Sequence, residues 1–502
     1  MQHRYSLISE PWIPVIGQGK ISLTDLFTSP VYRIGGSAIE QISLFRFLVA
    51  IAHSAYFPKN EDDWLQLGVN GLISKIRQYL DKHQHEFDLY GDHPFLQLPE
   101  VKCSTAKPLS SIFPEIASGN TTVLTQNQVS RIFTDAEIAL NLLTLMSFAL
   151  GGKKTDNSIV LSPGYLGKQN DKGKPSSGRP GKALDSFGLL HTFVLGENVW
   201  ETLWLNLWTK ESFKDEKIKT AFPDGLGQAA WEMMPQGEDC AIAKRLKRTL
   251  LGHLVPLSRF CLIQGQSIYL TEGIHFPDRK EGFIDLTASV ILGKKNRVLW
   301  TDPNKRPWRE LASILSANRS QPNLYNMQLS IFFNHLKNCS TLNREKNMTL
   351  WSGGLCVSSN AGEQYISGTD DYVESSIELT YQEFTEELWY LAFCQEMSEL
   401  EHVALTLRKS VDTYNNQMKL ANTKTPLMAV NDFWTMAESL CQKIVNACAM
   451  EGDEGQKAIC TLQKISRSLA VEIYSKFCPY STAHQMQAWA SCYPNFDSKQ
   501  RK

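Results

Sequence analysis

A chain of 502 residues, 42% hydrophobic and 21% charged, is too apolar and too evenly charged for a disordered protein, and its length suits roughly two to four compact units. Its formal net charge of -1 excludes a global attraction to polyanions, so any nucleic-acid contact must come from local basic patches. Eleven cysteines without a CxxC pair or regular spacing exclude a disulfide scaffold and fit a reducing compartment.

In chain order, Met1–Pro14 lacks the basic stretch and long apolar core of a signal peptide. Trp12–Ile16 followed by Gly17-Gln18-Gly19 predicts a strand and a turn. Helical periodicity follows at Ile42–His53 and Ala136–Leu150. The apolar run Ile138–Leu150 falls short of the ~20 residues that span a bilayer. A soluble, cytoplasmic protein with no membrane partner is therefore expected. The first three-quarters mix short strands and helices without a βαβ rhythm or an internal repeat.

From about Ser376 apolar residues recur every three or four positions. Phe384, Leu388 and Leu391 lead into Met397, Leu400, Leu407 and Val411. Phe433, Ala437, Leu440, Ile444 and Ala447 form a second stripe, and Leu462, Ile465, Leu469, Ile473 and Phe477 a third. Long one-faced helices must pack on one another, and the polar connections Asn415–Thr425 and Glu451–Gly455 are short enough for antiparallel neighbours. The expected fold is α+β: a large mixed α/β domain over 1–375, then a four-helix-type bundle over 376–502.

The segment Gly151–Lys182 stands out for its charge. Lys153, Lys154, Lys168, Lys172, Lys174, Arg179 and Lys182 face only Asp156 and Asp171, and seven glycines punctuate it. Glycine lets backbone approach a groove or phosphate closely, and the cations supply sequence-independent attraction. A solvated connector would have the same composition. Lys294, Lys295, Arg297, Lys305, Arg306 and Arg309, interleaved with Trp300 and Trp308, form a second basic cluster, whose tryptophans suit either base stacking or a core.

His83, His85 and His93, near Asp81, Asp88 and Asp92, are the nearest approach to a metal site, without HExxH or clustered cysteines. Asp370-Asp371 reads as a turn. With no Walker loop, GxSxG or dinucleotide fingerprint, no catalytic residue, metal or cofactor is predicted.

Several segments in fixed order add a resemblance. They are Leu7–Val15 with its Trp-Ile-Pro-Val strand, His93-Pro94-Phe95-Leu96-Gln97, and Ser118-Gly119-Asn120-Thr121 leading to Asn127-Gln128. Ser162-Pro163-Gly164-Tyr165-Leu166-Gly167 and the Gly353-Gly354 turn before Glu363-Gln364 follow. Together they resemble the large-subunit family of the type I-E CRISPR surveillance complex, Cascade, over nearly the whole chain.

The resemblance implies a non-enzymatic subunit that binds double-stranded target DNA beside a short flanking motif. Gly164, Tyr165, Gly167 and Lys168 would form the glycine loop that reads this protospacer-adjacent motif from the minor groove. Glu363, Gln364 and Tyr365 would form the wedge, with Gln364 at the first base pair. Asn120, Thr121, Asn127 and Gln128 would contact DNA and neighbouring subunits. Implied partners are the guide RNA complex, the backbone, small and guide-end subunits, and a helicase-nuclease. Two departures stand out: Leu166 and Lys168 flank Gly167 where the family is richer in glycine, and no lysine lies between Lys247 and Lys280 to act as a lysine finger. Arg259, Arg279 or Gln266 would have to replace it. The competing readings are a scaffold without DNA contact and a metal-dependent nuclease using the three histidines.

Overall fold

The computed structural model describes residues 4–112, 132–148, 159, 161–162, 188–277, 282–293, 297–302, 304–319, 322–338, 346–356, 372–420 and 424–497. Two compact units result. The first comprises Met1–Pro303, Leu324–Leu342 and Met348–Glu374; the second comprises Asn304–Asn323, Asn343–Asn347 and Ser375–Lys502. The second unit thus takes up residues 304–323 from well upstream.

In the first unit the helix Ala38–Ala55 begins at a capping box, where the Ser37 amide donates to Glu40 Oε2 at 2.7 Å. The helix that the periodicity predicts here is buried on nearly every side, Arg46 and His53 included, so its few polar groups need partners inside the protein. By length and composition it would suit a membrane crossing; 78% of it is buried inside the protein. Phe45 stacks on Phe193 at 3.8 Å, and Phe47 packs against Trp12, Phe95 and Trp231. Trp64 lies between Trp204 at 4.1 Å and His335 at 3.9 Å.

The sheets are small. Ile13–Val15 pairs antiparallel with Gly19–Ile21, and Gly17 at φ 79° turns the chain between them, as the sequence predicts. Ala106–Pro108 and Arg259–Gln264 flank Ser267–Glu272 on either side. A third sheet has Asn347–Leu355 in the middle, with His191–Leu195 antiparallel to it at a register of Thr349 to Leu195 and Gly353 to His191. Its other neighbour is Tyr372–Thr380.

Gly353 and Gly354 therefore lie in a strand and not in the expected turn. Their use is close approach: a Cβ on Gly354 would stand 2.5 Å from the Leu189 carbonyl oxygen, and one on Gly353 2.6 Å from the Trp351 ring.

In the second unit the helix Glu387–Gln417 packs on Thr425–Ala437, Cys441–Ala449 and Gly452–Phe477. Counting the two short helices separately, these four make a four-helix-type bundle. The second predicted stripe is buried throughout. The first is buried at Phe384, Met397, Leu400, Leu407 and Val411 and fails at Leu388 and Leu391. Phe384 belongs to the separate helix Tyr381–Thr385, and Leu388 and Leu391 are 81% and 54% exposed. Because the chain breaks at Glu386, the long helix takes a new phase and buries Trp389, Phe393, Met397 and Leu400. In the third stripe Ile473 is buried as expected and Leu462, Leu469 and Phe477 are half-buried, but Ile465 is exposed and Ser466, Ala470 and Tyr474 are buried beside Ile473.

Candidate nucleic-acid interface

Most residues that the sequence singles out lie outside the described residues: Gly164, Tyr165, Gly167, Lys168, Glu363, Gln364, Tyr365, Asn120, Thr121, Asn127, Gln128, Lys153, Lys154, Lys172, Lys174, Arg179, Lys182, Lys294, Lys295 and Arg279. The framework from which their segments leave is described, and all of it belongs to the first unit.

Before the glycine loop, Thr271 Oγ1 donates to the Ile159 carbonyl at 3.4 Å. The Glu238 carboxylate, 1% exposed, accepts from the Leu161 and Ser162 amides at 3.2 and 3.1 Å, and Ser162 Oγ accepts from the Asp239 amide at 3.0 Å. Past the loop, the Thr301 amide donates to the Gly188 carbonyl and the Leu190 amide to the Leu299 carbonyl, both at 2.9 Å. The chain then enters strand His191–Leu195.

That entry point is level with the exit of Asn347–Leu355, the strand preceding the wedge segment, because Gly353 pairs with His191. The glycine-loop segment thus joins the sheet at the end from which the wedge segment leaves it.

Beneath this sheet end lies a buried polar group. Arg46 Nη2 donates to Asp285 Oδ1 at 2.5 Å and to Thr287 Oγ1 at 3.0 Å, and His191 Nδ1 lies 2.8 Å from Thr287 Oγ1 and 3.6 Å from Asp285. Burial alone would raise the Asp285 carboxyl; the Arg46 guanidinium and His191 overcome it and hold the carboxyl well below the usual range. The pair fixes helix Ala38–Ala55 to the segment that bridges to His191.

Both described ends of the segment bearing Asn120–Gln128 rest on one residue. The Leu109 amide donates to the Gln266 carbonyl at 3.0 Å, and the Gln266 side chain accepts from the Phe133 amide at 2.8 Å and donates to its carbonyl at 3.0 Å. Gln266 is thereby a clasp, with its amide committed on both sides rather than offered to a duplex. Arg259 is likewise committed: it is 1% exposed, burial pushes its pKa down to about 10 against the opposing pull of Glu272, and its Nη1 donates to the Ser258 carbonyl. Neither stands ready to replace a lysine finger.

The second basic cluster divides between the units. Arg297, in strand Arg297–Val298 opposite Ile291, is exposed, and Trp300 is 48% exposed. In the second unit Trp308 is buried against Trp434, Lys305 pairs with Glu310, and Arg309 meets Glu401 at 3.0 Å while lying over the Trp434 ring. Those cations are neutralised locally. His83 pairs with Glu86 at 3.2 Å, and among the described residues no three His, Cys, Asp or Glu side chains gather as a metal site would need.

Sequence reasoning missed Glu238. Its partners lie 76 and 77 positions upstream, and no local pattern announces them. Gln266 had a signal in the Gly265-Gln266 turn, where Gly265 takes φ 60°, but the turn does not reveal what it holds.

Comparison with known proteins follows the same outline. A curated relative, the CRISPR-associated protein CasA/Cse1 of Thermus thermophilus, is 32% identical over 219 residues; the matched stretch covers 41% of this chain and 39% of that protein. The crystal structure of CasA from Thermus thermophilus superposes with a TM-score of 0.71 at 18% identity, covering 98% of both chains. Cse1 from Thermobifida fusca gives 0.72 at 18% identity over 97% of both. A chain of a structure described as a CRISPR RNA-guided surveillance complex gives 0.68 at 13% identity, covering 99% of this chain and 100% of that one. The family described as CRISPR-associated protein Cse1 matches residues 6–473, and the chain belongs to that family.

Proposed function

We propose that this protein is the large, non-catalytic subunit of an RNA-guided CRISPR surveillance complex of type I-E, which captures double-stranded DNA and begins to open it. Membership of the Cse1 family and a fold shared with a chain of a CRISPR RNA-guided surveillance complex support the assembly. The observation that carries the DNA reading is the common sheet end: the segment with Gly164 and Gly167 and the segment with Gln364 meet the same two strands at the paired residues His191 and Gly353.

In this reading guide RNA pairs with the target and the protein reads only the flanking duplex. Backbone at Gly164 and Gly167 lies in the minor groove, whose hydrogen-bonding pattern is degenerate, so several flanking motifs are accepted. Gln364 enters the first base step at a cost of a few kcal/mol, recovered by protein contacts and guide pairing. Lys153, Lys154, Lys172, Lys174, Arg179 and Lys182 hold phosphates. The partners are target DNA, the guide RNA complex, the other Cascade subunits and a helicase-nuclease that performs the cleavage, in a prokaryotic cytoplasm.

Gln364→Ala tests the wedge. In the assembled complex it should slow strand opening, read by a fluorescent base at the first target position, at least tenfold while changing initial duplex capture less than twofold. Equal opening by variant and parent removes Gln364 from the mechanism.

A further inference from the structure

We infer that Glu238, with Gly237 and Asp239, is a positioning residue for flanking-motif discrimination: a cradle that fixes the root from which the glycine loop departs. The inference rests on the reading of Gly164–Gly167 given above and adds a determinant 70 or so positions beyond them, a separation set by the chain itself.

Glu238 is a buried carboxylate, and among the described residues no lysine or arginine pairs with it. A buried charge without a counter-ion persists only where hydrogen bonds satisfy it. Here they come from the backbone amides of Leu161 and Ser162, with one oxygen, Oε2, reached by both at 3.2 and 3.1 Å. Charge-assisted bonds to backbone amides are roughly twice as strong as neutral ones and hold main chain rather than a rotatable side chain.

The neighbours of Glu238 complete the fit. Ser162 Oγ, 3% exposed at the residue level, accepts from the Asp239 amide at 3.0 Å. At Gly237 a Cβ would stand 2.1 Å from Ser162 Oγ and 2.7 Å from the Ser162 amide, so the strip approaches the root as closely as backbone permits. Three consecutive residues thus grip two consecutive residues, and Gly164 follows the gripped pair after a single proline. Discrimination by a backbone reader depends on where that backbone starts, since a displacement of about 1 Å is enough to lose hydrogen bonds to a groove.

The test uses the full-length chain, alone and assembled with its guide-bearing partners. Glu238→Ala removes both acceptors, Glu238→Gln keeps one at nearly the same volume, and Gly237→Ala displaces Ser162 while leaving the carboxylate. Hydrogen exchange of a peptide spanning 159–162 reports the grip in the chain alone. Binding of target duplexes that differ only in the flanking trinucleotide reports discrimination, and binding of a duplex lacking the target sequence reports general affinity.

Glu238→Ala and Gly237→Ala should speed exchange at least tenfold and shrink the spread between best and worst flanking motifs at least fivefold, with general affinity changed less than twofold. Glu238→Gln should fall between these and the parent, and it serves if the alanine variants do not fold. Unchanged exchange overturns the grip; faster exchange with unchanged discrimination overturns the positioning role. Gly167→Asp in parallel separates the two ideas. Loss with Gly167→Asp but none with the cradle variants sinks the cradle alone. Loss with the cradle variants supports the cradle, and a silent Gly167→Asp then sinks only the glycine assignment.

Discussion

His53 and His253 are 1% and 4% exposed and make different bonds with the same consequence. His53 Nε2 accepts from the Trp208 amide, and His253 Nε2 donates to the Lys247 carbonyl while its ring stacks on Phe283 at 4.5 Å. Burial pushes their pKa values down to about 3 and about 4, so both stay neutral in the folded chain. In the unfolded chain each takes up a proton near its ordinary value of about 6.5. Acidification therefore favours the unfolded state: stability falls between about pH 6.5 and pH 4, by up to about 1.4 kcal/mol per pH unit for each histidine. Asp285 has the opposite arrangement. Its low folded value adds stability that is complete above about pH 4 and is lost only below it, so it leaves that window alone. Urea unfolding at about pH 7.5 and about pH 5 checks this, and a His253→Phe variant should show a shallower dependence. Equal midpoints at the two pH values would mean that the buried rings are protonated.

Elements were legible where periodicity stayed local and unbroken. The stripe Phe433, Ala437, Leu440, Ile444 and Ala447 keeps its phase through the short 3-10 turn Glu438–Leu440, because that turn does not leave the helical region. Glu386 does leave it, at ψ 128°, so apolar positions before it say nothing about the face after it. On the resulting face Trp389 stacks on Phe393 at 5.3 Å. Phe393→Ala should destabilise the helical unit by about 3–5 kcal/mol, the range for truncating a buried aromatic. Leu388→Ser should change stability by no more than about 0.5 kcal/mol, as exposed sites do. Thermal unfolding of the two variants side by side checks the phase; equal losses would return Leu388 to the buried face.

At the scale of the whole molecule a net charge of -1 conceals an uneven distribution. The cations at 305–309 are matched by acids inside the helical unit, whereas 151–182 carries seven basic residues against two acidic ones. If the latter hold phosphates, replacing Lys172, Lys174 and Arg179 by alanine should lower the slope of log affinity against log salt by about three, with little change in preference among duplex sequences. An unchanged slope would make this segment a mere connector. Composition and motif order supply the proposed chemistry of the site and the family, since each motif is a contiguous string. The supports of the site were not legible, because Glu238 meets Leu161, Gln266 meets Phe133 and Arg46 meets Asp285 only after the chain has folded.

The pairing of His191 with Gly353 also sets a scale. Sliding one of those strands by a single residue would move its outlet by about 3.4 Å, which is the rise of one base pair along a duplex. It would also bring a side chain to the place of Gly354, where a Cβ would stand 2.5 Å from the Leu189 carbonyl oxygen. That missing methyl group acts as a ruler stop, and under the proposed function it keeps the count from flanking motif to first target base.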